Sequence, residues 1–390
     1  MSSTRGTIRR RGKSSWEIRA DAGRDPITGK RTRRYRTVRG LKRDAEKALT
    51  SMLAKIDGGT DIDPAHLTVA EYLERWLSAS AKPTVAPKTY ERYAMIVTTQ
   101  LIPALGAIML TKLKPLHIQE AYSKMIASGR RDGRGGLSAQ TVKHHHRILS
   151  MALKQAVRWQ LLARNPAQAV QPPVPARREM MVLDQAELAQ LIRVAEDKRI
   201  YVPVLVAATT GLRRGELLAL HWRDVDLDRG ALAVTQSLEQ TSDGLRFKEP
   251  KTKRSRRTIT LPGLTVEALR AHKVAQLEER LMIGPAYVDN GLVFSNHDGT
   301  PISPRSFSKR FLLLVEKAGV PRITLHGLRH THITNLLQAN VHPKIASERA
   351  GHASVAITLD IYSHAVPGLQ EDAAVKVDES LRRALQKTGA

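Results

Sequence analysis

The chain contains no cysteine, which excludes disulfides and thiolate metal sites. It has no run of 18 or more apolar residues, and residues 1–16 are basic where a secretory signal would be apolar. Both absences point to a soluble, cytoplasmic protein with no membrane segment. No Gly-rich phosphate loop of the Walker type occurs, so no ATP and no other cofactor is expected, and no internal repeat organises the chain. Acidic residues are scarce as well. Asp and Glu number 37 against 63 Lys and Arg, a formal net charge of +26 with pI ≈ 10.6. That imbalance implies a polyanionic partner, of which nucleic acid is the commonest. At 390 residues and 42% hydrophobic content, two or three domains with ordinary cores are expected.

The basic charge is concentrated at the start. Residues 1–60 hold 17 Lys and Arg and 6 Asp and Glu. Trp16, Ile18 and Ala20 alternate, Asp25 to Gly29 forms a turn signal, and Arg31 to Val38 alternates again. Ala45, Ala48, Leu49, Met52, Leu53 and Ile56 then keep helical spacing. A small basic sheet backed by one helix fits the major groove of DNA. Asp57-Gly58-Gly59 and Asp63-Pro64 mark a linker. Thr68 and Glu71 form a capping box ahead of an amphipathic helix on Val69, Tyr72, Leu73, Trp76 and Leu77. Helical segments follow near 87–100, 115–128 and 138–160, giving an all-helical domain over 66–170. Within the last of these, His144, His145 and His146 point around the helix rather than converging on a metal. They are expected on a solvated or DNA-facing edge.

Three prolines in residues 171–178 predict a stiff linker over 171–180. The third domain, 181–390, opens on a second capping box, Asp184 and Glu187. Helices are expected at 200–209, 264–281 and 304–318, with strands at 231–236 and 256–261. Lys251, Thr252 and Lys253 fall in the turn-rich piece between those strands. A final amphipathic segment carries Ala373, Val377, Leu381 and Leu385 on one stripe.

The chemistry concentrates in residues 324–364. His326 and Arg329 are three apart at a helix start, so both can leave one face. Gly351 and His352 follow a short helix, and Tyr362 comes ten residues after His352. Displacement at a phosphodiester needs a nucleophile, proton transfer and positive charge on the non-bridging oxygens. The Tyr362 phenol can be the nucleophile, and the phosphotyrosine would store the bond energy for rejoining. Arg213 and Arg329 can clamp oxygens bidentately. His326 and His352 can move protons near neutral pH. Lys251 can protonate the leaving 5′ oxygen, with Lys248 and Lys253 as neighbouring alternatives.

Thr210-Gly211-Leu212-Arg213-x-Gly215-Glu216-Leu217, Lys251-Thr252, His326-x-x-Arg329-His330-Thr331, Gly351-His352 and Tyr362-x-His364, in that order and spacing, resemble the tyrosine recombinases of the phage integrase family. The resemblance covers essentially the whole chain. It implies a multidomain protein with a small α+β arm-type DNA-binding domain over 1–60, a three-stranded sheet plus helix. It also implies a four-helix, SAM-like core-binding domain over 66–170 and a mainly α catalytic domain with a small sheet over 181–390. It puts Arg213, Lys251, His326, Arg329, His352 and Tyr362 in the six catalytic positions, with Glu216 supporting the first arginine. The implied activity is site-specific integration or excision of a phage or mobile element through a 3′-phosphotyrosyl link, by a homotetramer on double-stranded DNA. An excisionase or host DNA-bending protein would be the accessory partner. The stretch Ser347 to Ala350 departs from the small or apolar residue and leucine usual there, and a local repacking is expected. A type IB topoisomerase would leave residues 1–60 without a task. A chromosome-dimer resolvase of the same fold usually lacks a basic amino-terminal domain, and an architectural protein would not need all six positions filled.

Overall fold

The computed structural model describes residues 6–24, 31–57, 66–130, 132–176, 180–249, 256–352, 354–362 and 369–388. The chain divides into two compact units, Met1–Ala176 and Arg177–Ala390. The turn expected at Asp25 to Gly29, most of the linker around Gly58 to Pro64, and Lys251 to Lys253 lie outside the described residues.

In the first unit, β1 (Gly6–Gly12), β2 (Ser15–Arg24) and β3 (Arg31–Arg39) form an antiparallel sheet in that order, followed by α1 (Lys42–Asp57). The register sorts the side chains. Ile8, Ile18 and Arg36 are opposite one another, as are Gly6, Ala20 and Arg34. On this face Ile18 and Ala20 are fully buried, with Ala45 of α1, and a Cβ on Gly6 would meet Leu49. Side chains alternate, so Thr7, Arg9, Arg19, Arg33, Tyr35 and Arg39 belong to the opposite, open face. There the Arg19 guanidinium sits 5.6 Å from the centroid of Tyr35, which is 56% exposed.

The rest of the unit is helical. The Thr68 hydroxyl and Glu71 carboxylate cap α2 (Val69–Trp76) reciprocally, which begins the helix where the sequence pattern places it. A π-helical turn at Leu77–Ala81 carries α2 into α3 (Lys82–Thr84), and a second at Val97–Leu101 carries α4 (Pro87–Ile96) into α5 (Ile102–Leu105). Next come α6 (Pro115–Ser128) and α7 (Ala139–Arg158), the latter capped by Ser138. Tyr72, Leu73, Leu101, Tyr122, Leu149 and Leu153 lie in their shared core. The solvated or DNA-facing edge expected for the three histidines is contradicted at His145. His145 shares the buried stripe of Val142, Leu149 and Ala152 and is 4% exposed, and His146 Nδ1 lies 3.1 Å from the Tyr122 hydroxyl. The spacing explains this: position 145 is three after Val142 and four before Leu149, so the packing of the stripe carries it inward.

The second unit contains α8 (Gln185–Ala195), α9 (Tyr201–Thr210) and α10 (Arg214–Leu218), then β4 (Val225–Asp226), β5 (Ala231–Val234), β6 (Ser237–Thr241), β7 (Gly244–Lys248) and β8 (Arg257–Thr260). Strands β4, β5 and β8 form one antiparallel sheet in that order. The hairpin β6–β7 has no counterpart in the sequence reading. Its signal is present, since Ser242-Asp243 turns the chain between two short runs and Gly244, which follows the turn and pairs with Thr241, takes φ +117°. Helices α11 (Gly263–Ile283), α12 (Pro304–Ala318), α13 (Leu325–Gln338), α14 (Pro343–Ala350), α15 (Val355–Tyr362) and α16 (Leu369–Thr388) complete the unit. The core gathers Leu191, Val204, Leu217, Ile259, Phe294, Phe311 and Leu328 from most of these elements. On α16, Val377, Leu381 and Leu385 are exposed by 59–67%. No helix among the described residues is long and apolar enough to cross a membrane.

Candidate active site

Four helix ends build the site. Helix α9 ends on Gly211, in the left-handed conformation at φ +65°, which turns the chain directly into α10. Arg213 is the residue before α10, and the Glu216 carboxylate accepts its backbone N–H at 2.9 Å. The Thr324 hydroxyl accepts the Gly327 N–H and starts α13, so His326 and Arg329 stand in its first turns. Helix α14 ends on Gly351, again left-handed at φ +64°, and the His352 N–H returns to the Ser347 carbonyl at 3.1 Å.

The two arginines tie these ends together. Arg329 Nη1 donates to the Gly211 carbonyl at 2.6 Å, and its Nη2 donates to the Ala350 carbonyl. Arg213 Nη2 donates to the Gly351 carbonyl at 2.8 Å and its Nη1 to Glu216 Oε1 at 2.7 Å. Their exposures differ. Both are engaged at both terminal nitrogens, but Arg329 is 2% exposed and the Arg213 side chain is 39% exposed. The sequence reading gives both a fork for phosphate oxygens. In this geometry both forks are engaged by the protein itself, and the Arg213 side chain is the more exposed of the two.

The histidines surround the arginines. His326 is exposed, and its ring centroid lies 4.5 Å from that of His330, edge to face. His352 is half-buried, and its Nδ1 lies 2.8 Å from the hydroxyl of Thr358, which is fully buried in α15. Partial desolvation of the ring, then the charges of Arg329 and Arg213, lowers the pKa of His326. The same causes, with His330 and Arg257, push His352 down to about 4. Both rings are therefore neutral near pH 7 and able to accept a proton. Tyr362 is the last residue of α15, one helical turn after Thr358; its side chain lies outside the described residues. Lys251 also lies outside them. Of the alternatives for that position, Lys248 is ion-paired with Glu239 on the neighbouring strand β6.

Three participants have no assigned role in the sequence reading, although His330 stands in its quoted motif. Arg257 donates to Glu216, His330 packs on His326, and Thr358 holds His352. Each had a signal. Arg257 shares a strand face with the buried Ile259, His330 is one turn after His326, and Thr358 is one turn before Tyr362. Within Ser347 to Ala350, Arg349 donates to the carbonyls of Thr260 and Thr209, both at 3.1 Å.

Comparison with known proteins identifies the family. Residues 181–367 match the phage integrase family, and residues 68–126 match the phage integrase N-terminal SAM-like domain. The chain is 28% identical over 387 residues to a XerC-like tyrosine recombinase of Caldanaerobacter subterraneus subsp. tengcongensis, covering 94% of this chain and 97% of that protein. It is 26% identical to the ICEBs1 integrase of Bacillus subtilis, covering 94% and 97%. Among solved structures, its fold resembles a Tn1549 transposon integrase in complex with circular intermediate DNA, with TM-score 0.66 and 22% identity over 80% of this chain and 99% of that one. It also resembles a lambda integrase dimer bound to a core site, with TM-score 0.56 and 19% identity over 92% and 95%.

Proposed function

The chain belongs to the phage integrase family of tyrosine recombinases, and from that premise we propose that it integrates and excises a phage or mobile element at DNA attachment sites. The observation that carries the proposal is the tie of Arg213 and Arg329 to the carbonyls of Gly211, Ala350 and Gly351, which gathers the two cations and the neutral His326 and His352 around one point. In the proposed reaction the Tyr362 phenolic oxygen attacks the scissile phosphorus. The bond from phosphorus to the 5′ oxygen breaks, leaving a 3′-phosphotyrosine and a free 5′ hydroxyl. His326 or His352 accepts the phenolic proton, and Lys251 gives one to the departing oxygen. Arg213 meets the non-bridging oxygens, while Arg329 supplies charge from below and fixes the carbonyls. Attack by a partner strand's 5′ hydroxyl reverses the step, so no cofactor is consumed.

The printed descriptions of the Tn1549 and lambda integrases name DNA as their ligand, which supports DNA as the substrate here. The proposed division of labour gives arm sites to residues 1–60, core sites to 66–170 and cleavage to 181–390, with 171–180 as linker. The open face of the amino-terminal sheet, with Arg9, Arg19, Arg33, Tyr35 and Arg39, suits a groove, and the exposed stripe of α16 suits a neighbouring subunit in a tetramer. An excisionase or host DNA-bending protein would set direction.

The test is covalent trapping. Nicked duplexes carrying the attachment site are mixed with the wild type and with Tyr362→Phe, without ATP or metal, and resolved on a denaturing gel. A protein–DNA band from the wild type alone is expected. A band from both would move the nucleophile elsewhere, and no band on a site that the protein recombines would refute the tyrosine mechanism.

A further inference from the structure

Glu216 is 5% exposed, and it answers to two guanidiniums rather than one. Arg213 Nη1 donates to Oε1 at 2.7 Å. Arg257 Nη2 donates to Oε2 at 2.9 Å, with its Nη1 at 3.4 Å from Oε1. Arg257 is the buried partner, its side chain 7% exposed against 39% for Arg213. Its Nε donates to the Arg349 carbonyl at 2.6 Å, so it also holds the end of α14. A Cβ on Gly351 would lie 2.9 Å from Arg257 Nη1. Arg257 is thus packed beneath the turn that carries His352, against Glu216 and largely away from solvent.

The charges at this point do not balance in pairs. A buried carboxylate joined to Arg213 alone would cancel much of the charge that Arg213 presents outward, because the interior screens it weakly. Two guanidiniums on one carboxylate leave a net positive charge. Burial opposes ionisation of Glu216, yet its pKa is lowered, and the hydrogen bond and charge of Arg257 contribute more to this than those of Arg213.

We propose that Arg257 is a positioning residue that neutralises Glu216, so that Arg213 keeps its full charge for the scissile phosphate. The proposal rests on the reading of Arg213 as the phosphate-binding arginine.

Single-turnover cleavage by the full chain tests it, on attachment-site duplexes with either a phosphodiester or an uncharged methylphosphonate at the scissile position. Arg257→Met should slow phosphodiester cleavage about ten- to a hundredfold, less than loss of a direct donor, and should barely slow methylphosphonate cleavage. Adding Glu216→Gln to Arg257→Met should restore most of the lost rate, since no buried carboxylate is left to neutralise. A purely structural Arg257 would slow both substrates equally and make the double variant worse; either result overturns the proposal. Arg257→Lys keeps the charge without the fork. It should melt lower yet keep the wild-type ratio of the two rates, and a ratio displaced as far as that of Arg213→Ala overturns the proposal even if Arg257→Met does not fold. If Arg213→Ala itself slows both substrates equally, the reading of Arg213 fails first, and the proposal falls with it.

Discussion

Alanine substitution at three helix-ending glycines would separate backbone strain from site geometry. Gly211, Gly319 and Gly351 end α9, α12 and α14 at φ +65°, +66° and +64°. Holding alanine in that conformation costs about 1–2 kcal/mol at each. The surroundings differ. At Gly319 an added Cβ meets nothing within 4 Å. At Gly211 it would lie 2.7 Å from His332 Cδ2, in a ring 7% exposed, and at Gly351 it would lie 2.9 Å from Arg257 Nη1. Overpacking of that kind adds about 1–3 kcal/mol. Gly319→Ala should therefore cost about 1–2 kcal/mol and the other two about 2–5 kcal/mol. Hydrogen exchange of the slowest amides in α9, α12 and α13 reads this within the second unit. Cleavage should divide the series the same way. The Gly211 and Gly351 carbonyls hold Arg329 and Arg213, so their alanine variants should cleave slowly, and Gly319→Ala should cleave normally. Equal destabilisation of all three would refute the packing argument. Normal cleavage by Gly211→Ala and Gly351→Ala would refute the role of the carbonyls in placing the arginines.

Three further outcomes are expected. Arg213→Ala should slow single-turnover cleavage by about 10²–10³-fold while changing DNA affinity little; equal losses would make it a binding residue only. Replacing Arg9 or Arg33 on the open face of the amino-terminal sheet with Gln should each reduce the slope of log affinity against log salt by about 1, whereas Arg36 on the helix side should leave it unchanged. Burial, then Arg349, pushes His332 down to about 4, so below its ordinary value of 6.5 the unfolded chain takes up the proton first. The stabilisation is complete above about pH 6.5 and is lost as pH falls toward 4, by at most about 3 kcal/mol, and His332→Phe should remove this contribution from the profile of unfolding free energy measured by urea, leaving others such as that of His352.

Local physics made much of the chain legible. Helix starts at Thr68, Asp184 and Thr324 follow from side chains that reach N–H groups three residues on, a distance the sequence itself contains. Alternation around Ile18 and Ala20 sets which face of the sheet is buried, because the side-chain period in a strand is two. The motif residues and their order likewise come from the sequence, and with them the family. The folded chain decided the rest. His145 is inside because the stripe on α7 packs, not because histidine prefers the interior. Arg329 reaches Gly211 across 118 residues, Arg213 reaches Gly351 across 138, and Arg257 reaches Glu216 across 41. No propensity or spacing rule spans such separations. They are fixed only when the helix ends meet and each buried charge must find the one group near enough to compensate it.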